Sequence, residues 1–366
     1  MTIQPVRRRL LACSGALLLA RAMPARAAAP DAVPPFIPVR DGARALAATI
    51  GPNVVLLNTA NNAARDIMRR ALDFGHIMAQ TGNELAVMER TGVAMRLERE
   101  GDAPASDAAG DAQGRNVAGG YVGGDIDLNF NFDAWRHAFA VTRRGNDGSV
   151  TRSLEFFDAH GDAVHTLYLR NEAAGGLFDM LARDFRAPEQ RLSLEAAPAP
   201  AKAEEKPDSA IDIRQFRQAW LTMADPGQFG AIMADFGVTR EQALRLAPPG
   251  MARQLGGDAV RRLLDDVVRH RLPIMVLVGN AGITQRYTGL IANVAGDTVA
   301  CTAQAPGFSL RLRDSAFHSG YAVRRAGVTS VEFFGKDGEL AVAFLGVRER
   351  ARPQAWDEVI QGLPKA

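Results

Sequence analysis

The sequence predicts an α+β fold built twice. Three observations carry this: blocks of residues recur in order in the two halves, period-two alternation closes each half, and helical patterns precede those stretches. At about 150 residues per domain, 366 residues leave room for two such units and a connection.

The recurrence is the firmest of the three. Ile77-Met78, Gly82-Asn83 and Thr91-Gly92 return 197 residues later as Ile274-Met275, Gly279-Asn280 and Thr288-Gly289. Leu128, Ala134, Ala140, Val141 and Arg143 return 182 later as Leu310, Ala316, Ala322, Val323 and Arg325. Ser153, Glu155, Phe156, Phe157 and Gly161 return 177 later as Ser330, Glu332, Phe333, Phe334 and Gly338. The offset shrinks in steps, so the first copy carries extra loop residues. The boundaries expected are a leader over 1–27, a first repeat over 36–190, a linker over 191–208 and a second repeat over 209–366.

In chain order, Arg7-Arg8-Arg9, the apolar stretch Leu10 to Ala20 and Ala25-Arg26-Ala27 have the basic, apolar, small-x-small order of an export leader. Arg7-Arg8 ahead of Leu10-Leu11 also resembles a twin-arginine signal. The stretch Gly101 to Gly124 is rich in Gly, Ala and Asp and reads as a loop. Ile126, Leu128, Phe130 and Phe132 alternate with polar residues, which predicts a half-buried strand. Ala-Pro repeats between Ala196 and Ser209 predict an exposed linker.

Beyond the linker, Asp225 is an N-cap with Pro226 at the first helical position and Gln228 completing a capping box. Phe229, Ile232, Met233 and Phe236 line one helical face before Gly237 ends it. Thr239 with Gln242 starts a second helix, and Asp258 to Arg269 forms a third through Val260, Leu263, Leu264 and Val267. Strands follow at Ile274–Val278, Tyr287–Ile291 and Phe308–Leu312, then a hairpin from Thr329–Phe334 and Leu340–Gly346. Helices segregated from antiparallel strands define α+β.

Composition removes several function classes. Forty-three basic against forty-one acidic residues leave +2, too balanced for a nucleic-acid binder working through bulk charge. No uncharged apolar run reaches about 18 residues, which excludes a multi-spanning, integral membrane protein. Cys13 and Cys301 share no metal spacing, and the six histidines show no His-x-x-x-His pattern. No phosphate loop, nucleophile elbow or paired-carboxylate motif stands in a recognisable setting.

Gly82-Asn83-Glu84-Leu85-Ala86-Val87-Met88-Glu89-Arg90-Thr91-Gly92, the run Phe156 to His165, and Ile274 to Asn280 resemble the HemS/HmuS/ChuS/PhuS family of haem-utilisation proteins. The resemblance covers about residues 40 to 366 and implies a HemS/ChuX-like fold with haem b in a cleft between the repeats. It implies a carrier or chaperone of haem and iron acquisition, linked to a haem importer or a haem oxygenase, or to haem breakdown itself. The family is usually cytoplasmic, whereas the leader points to the periplasm or export by a Sec- or Tat-like route.

Matched residue by residue, the family implies haem-facing roles for Gln285, Tyr287, Phe308, Arg311 and Arg313, with both arginines on one strand face as a grip for propionates. Two family ligand positions are substituted: Gly227 stands where the axial histidine belongs and Asn129 where an arginine belongs. A further family histidine falls at Met88, whose thioether is one candidate substitute for iron, and the Tyr121 phenolate is another. Gly227 disfavours haem degradation, because positioned iron is what activates oxygen. The competing expectation is an exported binding module of the same fold that has changed ligand or binds a partner protein.

Overall fold

The computed structural model describes residues 40–60, 63–96, 121–193, 205–347 and 354–366. The leader and the centre of the linker lie outside the described residues, as does the loop up to residue 120. In the first repeat, helices α1 (Gly42–Ala47), α2 (Ala63–Ala71) and α3 (Gly175–Asp184) accompany β1 (Val54–Leu57), β2 (His76–Gly82), β3 (Ala86–Arg96) and β4 (Tyr121–Gly124). The repeat continues with β5 (Asp127–Phe130), β6 (His137–Arg144), β7 (Val150–Phe157) and β8 (Ala163–Leu169).

The second repeat opens with α4 (Ile213–Thr222), α5 (Phe229–Phe236) and α6 (Arg240–Leu246), followed by β9 (Ala252–Gln254) and α7 (Ala259–His270). Then come β10 (Ile274–Gly279), β11 (Ile283–Gly289), β12 (Asn293–Gly296), β13 (Cys301–Ala305) and β14 (Phe308–Leu312). It closes on β15 (Ser319–Arg325), β16 (Val328–Phe334), β17 (Leu340–Gly346) and α8 (Ala355–Gly362). The expected caps are formed. Asp225 and Gln228 make the capping box, Thr239 Oγ1 accepts from Gln242 N, and Gly237 ends α5 at φ 62°, a left-handed conformation that glycine adopts without a Cβ clash.

The repeats do not form separate sheets. One sheet runs β1-β6-β7-β8-β2-β3 and continues into β14-β13-β12 of the second repeat. The other runs β9-β15-β16-β17-β10-β11 and continues into β5-β4 of the first. Strands are thus exchanged reciprocally, with Leu310 opposite Met88 at one seam and Gln285 opposite Leu128 at the other. The two Gly-Asn turns lock this arrangement. Asn83 Nδ2 donates to Gly279 O (3.0 Å) and Ala341 O (2.9 Å), and Asn280 Nδ2 donates to Gly82 O (3.0 Å) and Val164 O (2.8 Å).

Each core therefore contains residues of both repeats. The first packs α2 and α3, through Ile67, Met68 and Phe178, on β6–β8 and takes Ile283 from the second repeat. The second packs α7 through Val260, Leu263, Leu264 and Val267, and takes Ala86 and Met88 from the first. A side chain of this size is worth about 1.5–3 kcal/mol when fully buried. On its other face the second sheet is covered by α4–α6, whose Phe216, Trp220, Phe229 and Met233 meet Leu277, Phe334 and Leu345.

Three local expectations are corrected. Tyr121–Gly124, read as the end of a loop, is strand β4, paired to β3 and β5. Its glycines hid it: Gly124 sits at φ 101° with Val93 O at 2.9 Å from where a Cβ would stand. Strand β11 begins at Ile283 rather than Tyr287, because it lies between β10 and β5 and is fixed by pairing on both edges. Its polar Thr284, Gln285 and Arg286 are accordingly buried. Finally, β14 ends at Leu312, so Arg313 lies outside it and precedes a 3-10 turn.

Candidate functional site

Among the described residues a buried charged cluster lies where α5 and α6 meet the second sheet. Glu332 on β16 is wholly buried and accepts from Arg240 Nε (2.9 Å), Arg240 Nη2 (3.2 Å), Ser330 Oγ (2.8 Å) and Arg325. Burial pushes its carboxyl up, but Arg240 and Arg325 more than reverse this and hold it down at about 2. Both guanidiniums also face the ring of Phe229, at 4.6 Å for Arg325 and 5.6 Å for Arg240. The charged cluster thereby fixes the first residue of α5, two positions after Gly227.

The turn ahead of α5 is equally determined. Gly227 N donates to Asp225 Oδ1 at 2.6 Å, and Gln228 Oε1 accepts from Ala224 N at 3.0 Å. Below, strand alternation puts Asp127 and Asn129 on the face that α4–α6 cover, since Leu128 and Phe130 point into the first core. Arg286 shares that face and forms a bidentate pair with Asp127 at 2.7 and 3.1 Å. Gly227 and Asn129, the two substituted family positions, thus lie on one side of the second sheet.

The other family-matched residues do not converge there. Gln285 is fully buried on the opposite face and its Nε2 reaches Ala79 O at 3.4 Å. Tyr287 stacks on Phe308 with centroids 3.6 Å apart, donates to Leu290 O at 2.8 Å, and has its hydroxyl pKa raised by burial. Both belong to the second core. Arg311 is buried on the face of the first sheet opposite to that of Leu310, its Nη2 on Glu89 at 3.0 Å, while Arg313 is exposed past the strand end. The expected pair of arginines on one face is therefore corrected: the strand stops between them.

The substitute ligands fare no better. Met88 is sealed in the core opposite Leu310 with no exposed surface, so its sulfur offers iron no approach. Tyr121 contributes its backbone to β4, and its side chain lies outside the described residues. His165, also fully buried, meets Thr81 Oγ1 at 2.8 Å, and burial lowers its pKa to about 3, which keeps it neutral. Among the described residues no group of three or more His, Cys, Asp or Glu gathers as a metal site, and no helix is long and apolar enough to cross a membrane.

The buried Glu332 cluster and the Asp127–Arg286 pair escaped sequence reasoning, although a signal existed. Arg143, Ser153 and Glu155 recur as Arg325, Ser330 and Glu332, and a charged pair kept in both copies of a core strand has to be paired.

The elements together define a duplicated α+β protein with reciprocally exchanged strands. The haemin-degrading HemS.ChuX domain matches residues 41–185 and again 237–363, and the chain belongs to that family. The hemin transport protein HmuS of Yersinia pestis is 30% identical over 245 residues, 65% of this chain and 70% of that protein. Holo-PhuS, a heme-binding protein from Pseudomonas aeruginosa, superposes with a TM-score of 0.75 at 29% identity, over 91% of this chain and 95% of that one. ChuS, an E. coli heme oxygenase, shares the fold at a TM-score of 0.71 and 23% identity, over 88% of this chain and 92% of its own.

Proposed function

We propose that this chain binds haem b as a carrier or chaperone in haem and iron acquisition. The observation that carries the reading is the likeness to the heme-binding protein PhuS along 91% of the chain, across both repeats. The ligand would lie on the side of the second sheet that holds Asn129 and the Gly227 turn. Ligated haem iron needs an imidazole, thiolate, thioether or phenolate. Gly227 has no side chain and Met88 is closed off, so the matched positions do not fit an axially ligated iron. The reading is therefore a haem held by its macrocycle faces, and no oxygen-activating step is assigned to these residues. The same substitutions favour a second reading, an exported module of this fold with a different ligand. On the first reading the partners are an importer that supplies haem or an oxygenase that consumes it.

Hemin titration separates the two readings. Wild type should bind one hemin with a broad Soret band, retained against serum albumin. Gly227 is not among the glycines with positive φ, so its backbone conformation is one an L residue can adopt, and Gly227→His should tighten binding and sharpen the band. If neither protein keeps hemin against albumin, haem is not the ligand and the second reading stands.

A further inference from the structure

The first sheet ends on β1 and β12, the second on β9 and β4, and these ends are not treated alike. Beside β1, Gln190 Nε2 donates to Leu56 O at 2.9 Å and its Oε1 accepts from Leu56 N at 3.1 Å, while Ala187 N donates to the same carbonyl at 2.9 Å. Past β9, Leu255 bridges Lys365 and Gly256 N donates to Pro364 O at 3.0 Å. Strand β4 is paired on both sides. Strand β12 pairs with β13 alone, and among the described residues no hydrogen bond crosses its outer edge. An open edge presents unpaired N–H and C=O groups, which proteins ordinarily shield with charge or proline. Asn293-Val294-Ala295-Gly296 carries neither.

The geometry of this edge suits its own copy. Asp297 N donates to Ala300 O at 3.0 Å, which closes the β12–β13 hairpin on a hydrogen-bonded pair. Antiparallel bonds alternate, so Ala295 turns its backbone groups to β13 while Val294 and Gly296 turn theirs outward. Asn293, Ala295 and Gly296 are exposed, and Leu290 and Val299, 42% and 54% exposed, bracket the strand. Two copies running antiparallel about a two-fold axis at Ala295 set Val294 opposite Gly296 of the partner subunit, and the reverse. That register satisfies the N–H and C=O of both residues on each chain. It also sets Asp297 opposite Asn293 of the partner subunit, so no like charges meet, and brings the Leu290 end of one copy to the Val299 end of the other.

We propose that β12 is a homodimerisation edge that joins the first sheets of two copies into one continuous sheet. The seams within the chain are built in the same way, since β3–β14 and β5–β11 join the repeats edge to edge. A two-fold contact of this kind uses the same strand on both subunits and closes on itself. It shares no residue with the Gly227 face and does not rest on haem binding.

Light scattering of the full chain over a concentration series tests this. Wild type should pass from one chain to two as concentration rises and stop there. Ala295 meets its own copy on the axis, where like charges directly opposite are destabilising. Ala295→Lys and Ala295→Glu should each weaken dimerisation about fivefold or more, with the thermal midpoint near wild type, since the side chain is exposed. Mixing the two variants should restore a dimer, which also shows that both are folded. A monomer at every concentration, growth beyond two copies, a dimer that neither charge disturbs, or a mixture that stays monomeric would each overturn the proposal.

Discussion

Removing the carboxylate charge at two equivalent positions should produce very different costs. Glu332→Gln leaves Arg240 and Arg325, whose side chains are 10% and 5% exposed, facing each other and Phe229 without a counter-charge. Breaking a buried pair from one side costs about 3–5 kcal/mol, since the remaining charge is neither solvated nor compensated. Its repeat counterpart, Glu155→Gln, strands only Arg143, whose side chain is 49% exposed and returns to water. That pair is worth about 0–1 kcal/mol. At about 2.1 cal/mol/K per residue over the roughly 330 residues of the interwoven fold, 1 kcal/mol shifts the midpoint by about 1.4 °C, so Glu332→Gln should lower it by roughly 4–7 °C and Glu155→Gln by at most about 1.5 °C. Scanning calorimetry on both variants decides it. Equal shifts would refute the reasoning, because the argument depends on the difference in solvent access. A Glu332→Leu, Arg240→Met, Arg325→Met triple variant should recover most of the loss, since apolar groups of similar volume often replace a buried ion pair without penalty.

Further outcomes follow from other parts of the molecule. The Glu332 carboxyl falls from 4.5 to about 2 on folding, so its contribution to stability is complete above about pH 4.5 and disappears as pH falls through about 2; acid titration of wild type against Glu332→Gln by circular dichroism should show the two curves converging there. Asn83→Ala strands the carbonyls of Gly279 and Ala341 and should cost about 2 kcal/mol in urea unfolding; a change under about 0.5 kcal/mol would show the clasp to be dispensable. Residues 40–193 expressed alone lack β14 and leave the β3 edge open, so light scattering should find a dimer or larger species; a folded monomer would contradict the strand exchange. If the leader is used, mass spectrometry of the native protein should find a start near Ala28, and a mature chain beginning at Met1 or Thr2 would rule export out.

Much of this protein was legible as text. The duplication, the α5 capping box, the Gly237 stop, the α7 stripe and the terminal hairpin depend on spacing over a few residues, which the chain states directly. Ser153-x-Glu155 recurs as Ser330-x-Glu332, yet only the second copy buries both partners of its ion pair. What sequence could not decide was which strands would be neighbours. Pairing of β3 with β14 and of β5 with β11 joins residues more than 150 positions apart, and local alternation contains no term for that choice. The consequences reach the candidate site. The family resemblance assigns Gln285, Tyr287 and Phe308 to the haem side, and the structure buries all three, with Tyr287 and Phe308 in the second core. Arg311 and Arg313 share a phase in the sequence, yet the strand ends between them. Local pattern sets the face of each strand; only the tertiary pairing decides what that face meets, because burial is a property of the neighbours and not of the residue.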